Sequence, residues 1–229
     1  MKILAVDTSS SVCAVAILEN NEVIKENILD NGKTHSENFM PLVEKTLNDC
    51  NLGLDDIDLI ACGIGPGSFT GIRIGIASIK AIAEIKELPI VAVTSLEALA
   101  YNVESVDNTN IISMIDARNN QVYCGCFNDK YELVNEYVAD DIEVLMDLIS
   151  NFDNIIFVGD GIEVHKEKIM NKLDKKNISF SIFNKQSAVS VGKCAYNKFL
   201  NKKDIESADT LVPLYLRKSQ AERMKNANK

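Results

Sequence analysis

The densest concentration of residues suited to chemistry is Gly63-Ile64-Gly65-Pro66-Gly67-Ser68-Phe69-Thr70-Gly71-Ile72-Arg73-Ile74-Gly75, which joins an apolar run to a helical pattern. A glycine-rich turn at a helix start presents backbone N–H groups at the positive end of the helix dipole, a setting that suits an anion. No Gly-Lys-Ser/Thr follows, so it is not a P-loop, and its glycine spacing differs from the dinucleotide-binding fingerprint. Alternatively, the four-residue spacing of Gly67, Gly71 and Gly75 places them on one helix face. Glycine inside a helix costs about 1 kcal/mol relative to alanine, which implies close packing at Gly71 and Gly75. Ile72, Ile74, Ile76, Ile79, Ile82 and Ile85 cover more than one side of the same helix. Such a helix is either internal or shared with a partner chain.

Asp7-Thr8-Ser9-Ser10 ends the first predicted strand. A carboxylate beside hydroxyls there can hold a magnesium-bound phosphate, or form an ordinary Asx turn. His35 and His165 have no Asp, Glu or Cys cluster near them in sequence, so neither a metal site nor a triad is predicted. Ser68 lies outside any Gly-x-Ser-x-Gly elbow. Of the six cysteines only Cys124 and Cys126 are close; two residues apart on a strand they face the same side, and buried free thiols are expected throughout.

These residues need elements to hold them. Residues 2–7, 12–18 and 22–29 read as three strands in an antiparallel meander, with Asn20-Asn21 as a tight hairpin. Residues 36–50 carry Phe39, Met40, Val43, Leu47 and Cys50 at helical spacing, with Ser36 placed as the N-cap. A strand over 57–64, a helix over 69–86 and a strand over 90–93 imply a right-handed parallel crossover, and a short helix over 95–101 follows. The polar stretch 102–110 marks a lobe boundary. Beyond it the pattern partly repeats: strands over 111–115 (ending in Asp116), 121–127 and 132–138, a helix over 140–149, a strand over 155–158 before Gly159-Asp160-Gly161, and a helix over 187–200. Two related lobes are expected, residues 1–101 and 102–213, followed by a basic, flexible tail over 214–229. Such a tail is ordinarily a solvated face; contact with an acidic partner, or with RNA held by another subunit, is the minority alternative.

The length of 229 residues allows one large domain or two small lobes. With 46% apolar and 25% charged residues, 4 Pro and 11 Gly, disordered, collagen-like and low-complexity classes are excluded. Lys plus Arg number 24 against 33 Asp plus Glu, a net charge of −9, which argues against a stand-alone nucleic-acid binder. No run reaches the ~20 apolar residues needed to span a bilayer, and a charge at Asp7 comes too early for a signal peptide, so a cytoplasmic location with no membrane partner is expected.

Taken together, Ile3-Leu4-Ala5-Val6-Asp7-Thr8-Ser9, residues 63–75, Asp116-Ala117-Arg118 with Val122-Tyr123, and Pro213-Leu214-Tyr215-Leu216-Arg217 resemble the TsaB (YeaZ) family over nearly the whole chain. The resemblance implies an α/β, two-lobed fold of the actin, sugar-kinase and chaperone-ATPase kind, each lobe a mixed sheet flanked by helices. It also implies an accessory subunit that binds TsaD, the catalytic relative, for transfer of threonylcarbamoyl to adenosine 37 of tRNAs reading codons that begin with A. Further implied are a TsaE-type ATPase in the assembled complex, a homodimer when the chain is alone, and tRNA met only through the complex. Where TsaD carries metal-binding histidines this chain has Ser95 and Leu99, which cannot replace imidazole. Where nucleotide-binding members of the fold have Asp-x-Gly it has Asp116-Ala117-Arg118. No catalytic residue, metal site or cofactor is therefore expected here, with ATP and a metal ion on partner subunits. The expected partner-binding residues are Phe39, Met40, Val43, Leu47, Gly67, Thr70, Gly71, Ile74, Gly75 and Ser78; a weak nucleotide site would comprise Asp7, Thr8, Ser9, Gly159 and Gly161. The alternative is an enzyme in its own right, a nucleotide-dependent transferase or a glycoprotease.

Overall fold

The structure is a computed structural model that describes residues 1–30, 34–174 and 176–217. It opens with the antiparallel meander β1 (Lys2–Asp7), β2 (Cys13–Glu19) and β3 (Glu22–Leu29), with Asn20 at φ 56° in the hairpin. Helix α1 (His35–Asp49) leads to β4 (Leu59–Gly63), α2 (Phe69–Lys86), β5 (Ile90–Val93) and α3 (Ser95–Ala100). The second half repeats this order: β6 (Asn110–Asp116), β7 (Gln121–Phe127), β8 (Val138–Asp141), α4 (Ile142–Leu148), β9 (Asn154–Val158), α5 (Gly161–Lys172), β10 (Asn177–Phe180) and α6 (Ala188–Leu200). A two-residue strand, β11 (Ile205–Glu206), closes the series.

The two sheets run β11-β5-β4-β1-β2-β3 and β10-β9-β6-β7-β8. In each, the first strand lies between an antiparallel neighbour from its meander and a parallel one from the crossover: β1 between β2 and β4, β6 between β7 and β9. Alternation along β1 sends Leu4 and Val6 to a core shared with α1 and α2, and Ile3 and Ala5 to a core shared with α6. Both faces are apolar because both are covered, as in other helix-flanked parallel sheets. The second sheet is likewise covered by α4 and α5 on one face and by α3 on the other. Each lobe's last helix thus packs on the sheet of the other lobe.

Several expectations are corrected. Helix α1 is capped by Thr34, whose backbone N–H donates to Glu37 Oε2 at 3.3 Å; Ser36 lies in its first turn. The third strand of the second lobe is Val138–Asp141 rather than 132–138. Asn128 Oδ1 accepts N–H bonds from Lys130 and Glu132, which turns the chain out of the sheet, and the Tyr137 hydroxyl lies 3.0 Å from Thr94 Oγ1 in the first lobe. Helix α5 and strands β10 and β11 lie outside the expected elements; α5 carries Glu163, Lys166, Glu167, Lys168 and Lys172 among its residues, so its apolar period is faint. After β10 the chain returns to the first sheet: α6 joins its core and β11 pairs with β5. Within the expected tail, Leu214 to Arg217 are packed against both lobes as set out below; residues 218–229 lie outside the described residues. All six cysteines are free, and Cys124 and Cys126 share one core. No helix among the described residues is long and apolar enough to cross a membrane.

Candidate functional site

Strands β1 and β4 end side by side, and the turns that follow them interlock. Asp7 is 1% exposed. Its Oδ1 accepts the Ser9 N–H and hydroxyl, both at 2.8 Å, in an Asx turn, and its Oδ2 has no partner. Burial pushes the carboxyl up to about 6, against the two Ser9 hydrogen bonds and nearby His35, which pull it down. Ser9 carbonyl accepts the Ser68 N–H at 2.6 Å, and the Thr8 hydroxyl donates to the Gly71 carbonyl at 2.8 Å. His35, at the start of α1, donates through Nε2 to the Ser10 carbonyl at 2.8 Å.

The glycines make this approach possible. A Cβ at Gly71 would sit 2.1 Å from the Thr8 carbonyl oxygen, and one at Gly75 2.3 Å from the Thr8 hydroxyl. A Cβ at Gly67 would meet the Ser9 carbonyl at 2.1 Å. The approach at Gly67, just before α2, and at Gly71 and Gly75 on it is therefore filled by this chain's own β1–β2 turn. Phe39, Val43 and Leu47 are also core residues, at most 6% exposed, since the apolar face of α1 packs on β2 and α2. Of the expected partner residues, Met40 and Thr70 are exposed, and Ile74 and Ser78 half-buried. With Ala81 and Ile85, which is 78% exposed, Thr70, Ile74 and Ser78 recur every three or four residues and form an outward stripe along α2.

The second lobe repeats the arrangement at the ends of β6 and β9. A Cβ at Gly159 would lie 2.1 Å from the Met114 carbonyl, and one at Gly161 2.8 Å from the Met114 side chain. Asp160 Oδ1 accepts the Asp116 N–H at 3.0 Å, and Asp116 Oδ1 accepts the Arg118 N–H at 2.9 Å. These two glycines serve packing between β6 and α5. Arg118, Asn119 and Asn120 all adopt positive φ in the turn, leaving the Arg118 side chain 86% exposed.

Between the two sets of turns runs the C-terminal segment. Leu214 N–H donates to the Ile64 carbonyl at 2.9 Å, and the Tyr215 ring stacks on Phe69 at 4.2 Å. Leu216 joins the core under α3, and Arg217 donates to the Ala117 carbonyl at 3.2 Å. Arg73 Nε donates to the Tyr215 hydroxyl at 2.8 Å. The sequence reading missed the roles of Arg73, Tyr215 and His35; for the arginines the available signal was their rarity, four in the chain.

A magnesium-bound phosphate does not fit this cleft as it stands. Asp7 is buried with one oxygen committed to Ser9, and Leu214 to Arg217 occupy the space between the turns after β4 and β6. Among the described residues no group of three or more His, Cys, Asp or Glu is placed to hold a metal. Leu99 is core and Ser95 is fully buried.

Two outcomes follow from this geometry. Gly71→Ala, blocked by backbone, is expected to lower stability in urea unfolding by about 1–3 kcal/mol, more than Gly75→Ala, whose obstacle is the movable Thr8 hydroxyl. The Asp7 carboxyl is raised from 3.8 to about 6, so the folded state holds its proton more tightly; the stability this confers is complete below about pH 4 and lost as pH rises through about 6. Asp7→Asn, which keeps an acceptor for Ser9, is expected to gain on the order of 2 kcal/mol at pH 8 and to flatten the slope between those limits.

The chain is 37% identical to the tRNA threonylcarbamoyladenosine biosynthesis protein TsaB of Bacillus subtilis over 97% of this chain and 96% of that one. It is 30% identical to the protein of the same name from Haemophilus influenzae over 95% and 94%. A solved Pseudomonas aeruginosa protein described as similar to peptidase YeaZ superposes with a TM-score of 0.80 at 25% identity, over 94% of this chain and 99% of that chain. The ROK hexokinase of Thermus thermophilus shares the fold alone, at a TM-score of 0.55 and 9% identity over 88% and 100%. The model of the family described as TsaD, tRNA N6-adenosine threonylcarbamoyltransferase, matches residues 22–225. With an actin-like two-lobed architecture and relatives matched along almost its entire length, the chain belongs to the TsaB (YeaZ) family.

Proposed function

We propose that this chain is a non-catalytic subunit that binds a TsaD-type catalytic subunit and is required for transfer of threonylcarbamoyl to adenosine 37 of tRNAs reading codons that begin with A. The observation that carries this is the near full-length similarity to proteins named for tRNA threonylcarbamoyladenosine biosynthesis. The refilled cleft supports the non-catalytic part: Asp7 is turned inward, leucine and serine stand at the metal-ligand positions, and the chain's own C-terminal segment crosses between the lobes. The outward stripe Thr70, Ile74, Ser78, Ala81 and Ile85 of α2, with Met40 of α1, supports a helical docking face. Exposed apolar side chains grouped on adjacent helices favour burial against another chain. The same face would pair two copies of this chain when TsaD is absent, and a TsaE-type ATPase would join the assembled pair. ATP and metal chemistry would reside on those partners, and the setting is cytoplasmic.

Titration with purified TsaD from the same source, followed by reconstituted transfer to tRNA, tests the proposal. One-to-one association and transfer only with both proteins present are expected. Ile74→Glu, which places a charge on the stripe without entering the core, is expected to weaken association at least tenfold while leaving thermal unfolding nearly unchanged. Asp7→Asn is expected to support transfer at the wild-type rate. Loss of transfer by Asp7→Asn with assembly intact, or ATP hydrolysis by the isolated chain, would instead establish a transferase, and peptide cleavage would establish the glycoprotease.

A further inference from the structure

We propose that an arginine patch at the mouth between the lobes, Arg73, Arg118 and Arg217, contacts the phosphodiester backbone of the tRNA directly; this rests on the tRNA-modification function proposed above. The chain has four arginines and twenty lysines. Three of the four arginines lie along one series of contacts through the C-terminal segment. Arg73 donates to the Tyr215 hydroxyl at 2.8 Å, and its guanidinium lies 5.4 Å from the Phe69 ring centre and 5.6 Å from that of Tyr215. Two residues along, hence within about 8 Å of backbone, Arg217 donates to the Ala117 carbonyl at 3.2 Å, and the next residue after Ala117 is Arg118. The fourth, Arg223, follows in the sequence together with Lys218, Lys225 and Lys229.

The contacts that hold Arg73 and Arg217 fix the position of each guanidinium while spending one N–H donor apiece, so further donors of each fork are left for an incoming acceptor. Arg118 is 86% exposed. The acid nearest it, Asp116, is 16% exposed and lies 3.5 Å from one guanidinium nitrogen, while its Oδ1 is held by the Arg118 N–H. Asp160 is turned to the Asp116 N–H. Arg118 therefore stands beside an acid already engaged by a backbone N–H, in a chain whose net charge is −9. Arginine, with its planar fork, is the cation suited to phosphate oxygens. The three arginines are carried by α2 in one lobe, by the C-terminal segment and by the β6–β7 turn in the other lobe. Cations placed along a segment, rather than gathered around one pocket, suit the repeated phosphates of a polynucleotide backbone.

The test measures binding of labelled tRNA by fluorescence anisotropy across a salt series, for the chain assembled with TsaD and for the chain alone. Wild type is compared with Arg118→Gln, Arg118→Lys and the double variant Arg73→Gln/Arg118→Gln, with assembly followed by light scattering and folding by circular dichroism. Each phosphate contact removed lowers the slope of log K against log salt by roughly 0.7–0.9. The double variant is expected to lose between one and two in slope and about tenfold in affinity, with assembly unchanged. Arg118→Lys is expected to keep the slope and lose part of the affinity. Unchanged affinity and slope in a complex that assembles would overturn the proposal. So would binding of inorganic pyrophosphate by the isolated chain that Arg118→Gln abolishes while tRNA affinity is untouched, since that marks a small-anion site. Failure to assemble with TsaD would overturn the proposed function instead. The isolated chain at low salt then decides the patch: tRNA binding lost on substitution supports it, and no binding or unchanged binding overturns it.

Discussion

The fold depends on how closely α2 lies against the turn after β1. With 2.1 Å between the Thr8 carbonyl and the place where a Gly71 Cβ would stand, there is no room for any side chain. That contact fixes the height of α2 over the sheet, and through the Ser68–Ser9 and Thr8–Gly71 hydrogen bonds it ties the ends of β1 and β4 together. Ile72, Ile76, Ile79 and Ile82 then bury fully or nearly so beneath the helix, each contributing roughly 2 kcal/mol by transfer from water. The glycines offset their own helix-propensity cost by allowing that burial.

The same device appears in the second lobe, where Gly159 and Gly161 let α5 approach the Met114 backbone. The two halves repeat in strand order and in the position of the carboxylate that ends the first strand, Asp7 or Asp116. They differ in what surrounds that carboxylate. Asp7 is sealed inside, whereas Asp116 holds an exposed arginine-bearing turn. The space between the two sets of turns is filled by the chain's own side chains and its own C-terminal segment.

Lobe identity is likewise a tertiary property. Helices α3 and α6 each follow the last parallel strand of one lobe and cover the sheet of the other. Lys198 on α6 reaches the Ala92 carbonyl, Glu97 and Asp204, so β5, α3 and the segment leading to β11 converge on one nearly buried cation. An ion pair of this kind is costly to break from one side, because the partner charge stays buried. The lobes are joined at α3 and α6 and again, on the cleft side, by Leu214 to Arg217.

Much of the local structure was legible in the residues. The first meander, α2, β5, β7 and α6 lie within a residue or so of where apolar period and turn chemistry put them, because short-range patterning governs those segments. The highly charged α5 and the strand displaced by the Asn128 turn were not legible, since their placement depends on neighbours remote in sequence. At the candidate site the sequence determined that Gly71 and Gly75 share a helix face and that Asp7 ends a strand beside hydroxyls. Only the tertiary structure decided that Thr8 and Ser9 fill that approach, that the carboxylate points inward, and that the C-terminal segment links Arg73 to Arg217 and the Ala117–Arg118 turn. The physical reason is that spacing along a helix fixes which residues point together, whereas what stands opposite them is set by packing between segments more than sixty residues apart in the chain.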